Sequence, residues 1–143
     1  MKKLLTVLFA VLMLTACGSS NDDTNDNAAT ELKGAAEIAT EKGSVNTEVT
    51  LVDGKITAIA IDEVEGENTK KTLGADYGMK AASSIEKEWN EQIAHLENAL
   101  IGTGGTIALT EEGKAASEDI ISGCTINLSV IAQSVSEAVA NAK

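Results

Sequence analysis

The run from Val45 to Ile61 leaves the chain little choice of fold. Val45, Thr47, Val49 and Leu51 alternate with Asn46, Glu48, Thr50 and Val52. That period of two sends successive side chains to opposite faces of a strand. Asp53-Gly54 then breaks the pattern. An Asp-Gly pair between alternating runs is the strongest short signal for a type I′ hairpin, since both turn residues need positive φ. Lys55 to Val64 is therefore expected to return as the antiparallel partner, with Ile59 and Ile61 on one face and Ala58 and Ala60 on the other. Lys33 to Glu41 is ambiguous between strand and weak helix on pattern alone, and is read as a strand because it leads into this hairpin.

Helical spacing takes over downstream. Ile85, Trp89, Gln92 or Ile93, Leu96 and Leu100 share one face of a long amphipathic helix expected over Ala81 to Leu100, with Trp89 as its packing anchor. The Gly-rich run Ile101 to Thr106 ends it. This run is no dinucleotide loop, because it follows a helix and precedes none. Thr106 to Leu109 is expected as a short strand, and Thr110 to Glu118 as a polar loop. A last helix carries Leu128, Ile131, Ala132, Val135, Val139 and Ala142 on one face. Three or four antiparallel strands with one long helix and one C-terminal helix make a small α+β domain.

The N-terminus carries an address. Lys2 and Lys3 precede an almost wholly apolar run from Leu4 to Leu14, followed by Thr15-Ala16-Cys17. The charged start and short apolar run read as a signal peptide, and the run is too short to span a bilayer permanently. Leu14-Thr15-Ala16-Cys17 resembles a bacterial lipobox, which implies cleavage before Cys17 and lipidation of its sulfur. Gly18 to Asn27 has no apolar residue and reads as a disordered tether. The expected organisation is a signal peptide over 1–16, a lipidated Cys17 with flexible linker over 17–32, and one domain over 33–143. Its place is then the extracytoplasmic face of the membrane, lipid-anchored.

Charge narrows the partners. The 143 residues carry a net charge of −11, and none is Arg. Nucleic acid and anionic lipid both require clustered cations, so neither is expected to bind the domain. With Cys17 lipidated, Cys124 has no disulfide partner. The one histidine, His95, is expected at the surface of the long helix, and no ligand spacing for zinc surrounds it.

The chemistry concentrates in Asp119-Ile120-Ile121-Ser122-Gly123-Cys124-Thr125. Thr125 or Asn127 is placed to cap the last helix. A hydroxyl there would lie beside free backbone N–H groups, where phosphate is well held. Gly123 would permit a sharp turn and a bulky neighbour. On spacing alone, an ordinary Ser-Gly turn before an ordinary helix fits equally well.

Asp119, Ser122, Gly123 and Thr125 resemble the flavinylation motif of the FMN-binding domain family. Cys124 stands where that family usually has Ala. The opening strands around Asp53-Gly54-Lys55-Ile56, and the segment Thr69 to Met79, are also similar to flavin-binding lipoproteins of the family. The resemblance covers Lys33 to the end. It implies FMN in phosphoester linkage to Thr125, with Asp119 orienting the loop or helping to bind the transferase's metal, and Ser122, Gly123 and Cys124 shaping it. Tyr77, Gly78 and Met79 either lie against the isoalloxazine or fill gaps in an aromatic-poor core. The implied activity is electron carriage with no substrate transformed. The implied partners are an FMN transferase using FAD and Mg²⁺, and quinone-linked membrane dehydrogenases or extracellular electron acceptors. A non-redox surface or binding lipoprotein that keeps the fold without flavin is the alternative.

Overall fold

The computed structural model describes residues 29–143. Cys17, the signal peptide and the greater part of the tether lie outside the described residues. Four antiparallel strands form one sheet in the order β1 (Glu31–Ala39), β2 (Gly43–Val52), β3 (Lys55–Glu65) and β4 (Asn68–Thr69). The hairpin is as expected: Val52 pairs with Lys55, with Asp53 at φ 52° and Gly54 at φ 74°. Positive φ costs Gly nothing and Asp little, which is why this dipeptide turns here.

A bulge resolves a conflict in β3. Ile56 is one position out of phase with a simple alternation through Ile59 and Ile61. Between Thr50 and Leu51 the register shifts, so that Thr50 pairs with Ala58 and Leu51 with Ile56. Thr57 is the extra residue, and its hydroxyl donates to the Thr50 carbonyl at 3.3 Å. Such an insertion resets the facing of the strand. Ile56 and Ile61 are thereby both fully buried on the same side.

Two helices cover that face, α2 (Trp89–Leu100) and α4 (Ser129–Ala140). Val45, Leu51, Ile56 and Ile61 of the sheet meet Trp89, Ile93, Leu96 and Leu100 of α2 and Leu128, Ile131 and Val135 of α4 in one core. One polar pair sits inside it: the Ser134 hydroxyl donates to Thr47 Oγ1 at 2.8 Å, tying α4 to β2. Both sheet edges are occupied, which blunts strand addition. The last residue, Lys143, exchanges two backbone hydrogen bonds with Lys33 of β1. Across the sheet, Thr103 and Gly102 bond Ile56, and the Glu97 carboxylate accepts the Ile61 N–H at 2.6 Å.

The long helix is shorter than its apolar spacing predicts. It begins at Trp89, and residues 81–88 form turns. The cause is local competition by polar side chains. Ser83 Oγ takes the N–H groups of Ile85 and Lys87, Glu86 adopts φ 51°, and the Glu91 carboxylate accepts the Glu88 N–H at 2.8 Å to start the helix. Hydroxyl-to-backbone bonds of this kind divert a chain from helix. Thr106 to Leu109 forms no strand; a single bridge joins Leu109 to Ala115. Two one-turn helices, α1 (Lys70–Leu73) and α3 (Glu118–Ile121), complete the fold. No helix among the described residues is long and apolar enough to cross a membrane.

Trp89 therefore anchors the first turn of α2 and not its middle. It is 2% exposed. The Lys70 ammonium lies 5.7 Å from its ring centroid and 4.8 Å from that of Tyr77, and is paired with Glu63 at 2.9 Å. Burial opposes the charge on Lys70, but Tyr77 and Glu63 outweigh it and raise its pKa. Replacement of Trp89 by Ala is expected to cost about 3–5 kcal/mol in urea unfolding, as for large buried aromatics. A loss below about 1 kcal/mol would mark an unpacked position.

Candidate functional site

The stretch Asp119 to Thr125 is drawn into place by its apolar members. Helix α3 makes one turn, with the Ser117 carbonyl accepting from Ile120 and Ile121. Ile120 is buried, and its carbonyl accepts the N–H of Cys124 at 2.8 Å. Cys124 is fully buried in the core. Burial pushes its thiol up to about 11, against a smaller opposing effect of a hydrogen bond with the Ile126 backbone. The thiol thus stays protonated and unreactive at neutral pH. A small hydrophobe suffices at this position, which is the role Cys124 fills.

Beyond Cys124 the chain is held by an amide. Gln92 of α2 is fully buried. Its Oε1 accepts the Thr125 N–H at 2.9 Å and lies 3.4 Å from the Thr125 hydroxyl. Its Nε2 donates to Ser83 Oγ at 3.1 Å and to the Lys87 carbonyl at 3.2 Å, with Met79 Sδ at 3.7 Å. One side chain thus fastens the Thr125 loop to α2 and to the turns of residues 79–88. Ser84, in those turns, brings its Oγ to 3.5 Å from Thr125 Oγ1.

His95 fixes the other end of the stretch. Its Nε2 lies 2.7 Å from the Asp119 carbonyl. A carbonyl only accepts, so this nitrogen carries the proton. The imidazole packs directly on Gly123, where an added Cβ would come within 2.3 Å of the ring. Gly123 does not adopt positive φ. Its requirement is close approach, and the neighbour is His95. Ser122 is exposed, with its hydroxyl on the Asp119 carbonyl at 3.0 Å. The Asp119 side chain is exposed, and it is the backbone of this residue that does the bonding.

Thr125 lines a cavity of about 580 Å³ together with Ser84, Ala115, Ile121 and Cys124, and with Glu111, Glu112 and Lys114 from a hairpin loop. That volume is in the ordinary range for small-molecule sites. The hairpin is pinned in place: Asn127 Nδ2 donates to the Glu112 carbonyl at 2.8 Å and the Leu128 N–H to the Gly113 carbonyl at 2.7 Å.

Three expectations are narrowed by this geometry. Thr125 is not the helix cap. Helix α4 starts at Ser129, and the Asn127 side chain accepts the Ser129 N–H at 3.0 Å. Two of the N–H groups assigned to a phosphate are therefore already used by Asn127 and Gly113. His95 is half-buried against the motif and is not simply a surface residue. Tyr77, Gly78 and Met79 are not among the residues lining the Thr125 cavity. Tyr77 is engaged by Lys70, Gly78 ends a 3-10 turn over Gly74–Tyr77, and Met79 packs at the core beside Gln92.

Gln92, His95, Ser84 and Lys114 were not marked as site residues by the pattern. Gln92 alone carried a signal, as a polar residue within an apolar stripe. Such a group, once buried, has to find partners. No group of three or more acidic, His or Cys side chains suited to a metal occurs among the described residues. Comparison of the chain with protein families, with curated proteins and with solved structures finds no match.

The Gln92→Leu variant keeps the volume but strands the Thr125 N–H and the Lys87 carbonyl. A loss of about 1–3 kcal/mol is expected for such unpartnered groups, together with faster hydrogen exchange at the Thr125 amide. Unchanged exchange there would show that the loop is held by something else.

Proposed function

We propose that this chain is a lipid-anchored extracytoplasmic electron carrier of the FMN-binding-domain type, with FMN esterified to Thr125. The observation that carries the reading is the placement of Thr125. The motif's last residue lines a cavity of suitable size, while the residues before it are buried or bonded into scaffold. Ile121 offers an exposed apolar surface, Ser84 and Lys114 offer donors for phosphate oxygens, and Glu111 and Glu112 set two carboxylates on the same wall.

When bound, FMN supplies one- or two-electron transfer. The chain's own part is to present and orient. Gln92 Oε1 accepts from the Thr125 main chain and sets the direction of the side chain. In modification, Thr125 Oγ1 attacks the FMN-side phosphorus of FAD. A P–O ester bond forms, the pyrophosphate P–O bond breaks and AMP leaves. The hydroxyl proton passes to a base of the transferase, since the partners of Thr125 Oγ1 here are a neutral amide and a neutral hydroxyl. Covalent attachment keeps the cofactor from being lost outside the cell. Lipid on Cys17 raises the effective concentration of the carrier beside membrane donors such as quinone-linked dehydrogenases.

After co-expression with an FMN transferase, intact-mass analysis is expected to show one added FMN moiety, mapped to the peptide with Thr125. The Thr125→Val variant should lose it, and Ser122→Ala should keep it on Thr125. A wild-type chain with no addition, under conditions that modify a control flavoprotein, contradicts the reading; restoration by Cys124→Ala would trace the failure to Cys124. Separately, Cys17→Ser is expected to move the protein from the membrane fraction to the medium or leave it unprocessed. A processed variant still fractionating with membranes would contradict the anchor.

A further inference from the structure

We propose that Ser84 is a second hydroxyl of the site, a binding residue that donates a hydrogen bond to the phosphoryl group carried by Thr125. The inference rests on the reading of Thr125 as the FMN-bearing residue and adds to it a group that the Asp119 to Thr125 stretch does not contain.

Three features point to Ser84. Its Oγ lies 3.5 Å from Thr125 Oγ1, although 41 positions separate the two residues in the chain. It lines the same cavity as Thr125. The turns that carry it are also built to hold it there. The buried Gln92 amide grips the neighbouring Ser83 and the Lys87 carbonyl with one end and the Thr125 N–H with the other. Ser83 Oγ gathers the N–H groups of Ile85 and Lys87, and the chain passes through Glu86 at φ 51°. Positive φ at a non-glycine residue is a cost that surrounding structure must sustain. Ser83 and Ser84 thus divide the work. The first is bonded inward into the scaffold, and the second is exposed and turned to the cavity.

The chemistry of the pair suits a phosphate ester. A phosphoryl phosphorus on Thr125 Oγ1 places its free oxygens about one bond further out, within range of a hydroxyl at this separation. The Ser84 hydroxyl then donates to an anionic oxygen, the stronger kind of hydrogen bond. It adds a donor where two backbone N–H groups, those of Leu128 and Ser129, are already bonded to Gly113 and Asn127. In the transfer step the same donor stabilises charge building on the phosphoryl oxygens, so it speeds modification as well as holding the product.

The test uses the full chain with Ser84→Ala and Ser84→Thr, modified under limiting transferase. Initial rates are read by intact mass, and the purified products by ³¹P NMR. Ser84→Ala is expected to be modified about tenfold more slowly, as for loss of one bond to a charged group. Its ³¹P resonance should shift from the wild-type position, while the urea midpoint stays the same. Ser84→Thr should restore both rate and resonance. A Ser84→Ala protein modified at the wild-type rate with an unshifted resonance overturns the assignment of Ser84 and leaves Thr125 standing. A wild-type chain that gains no FMN overturns both.

Discussion

The Gln92 side chain is the interaction on which the site depends. It comes from a helix whose other inward residues are apolar, and it is fully buried. A buried amide is costly unless both ends are bonded. Here both are, and the partners belong to two segments far apart in the chain: the turns of residues 79–88 and the loop at Thr125. Joining the two at one rigid helix is how a hydroxyl is held to a cavity wall without lying on a helix or strand itself. Ordered support behind the reacting group is what a precise site requires.

The sheet serves this arrangement from a distance. No residue of β1 to β4 lines the Thr125 cavity. The strands supply Val45, Leu51, Ile56 and Ile61 as the platform on which α2 and α4 sit. The helices in turn position what touches the cavity. Helix α2 carries Gln92 and His95, and the start of α4 is tied through Asn127 and Leu128 to the hairpin of Glu111, Glu112 and Lys114. His95 adds a second fastening, since its ring fills the space that only glycine at position 123 leaves open. Cys124 contributes volume to the core, and burial holds its thiol protonated.

Legibility in the sequence followed the range of the interactions. The hairpin at Asp53-Gly54 was readable because turn geometry and alternation are properties of adjacent residues. The inward faces of β2, α2 and α4 were readable from periodicity. The bulge at Thr57 and the late start of α2 were not. Each depends on which of two local patterns wins, and Ser83 decided the second by capturing nearby N–H groups. The site followed the same rule. Asp119 to Thr125 is contiguous and could be found as a motif. Ser84, Gln92 and His95 reach it only through folding, over separations of 41, 33 and 24 positions. At the expected helix-end phosphate site the Ser129 N–H is taken by Asn127, an outcome that spacing could not separate from capping by Thr125.

The proposed carrier stands on one claim, that flavin is covalently part of this protein. The direct measurement is the visible absorption spectrum of full-length protein made in a flavinylating host, then unfolded in guanidinium and dialysed. Denaturation releases any flavin held only by the fold. A retained flavin spectrum, at close to one flavin per chain, is the result this account predicts. A colourless protein from a host that flavinylates a control would contradict it.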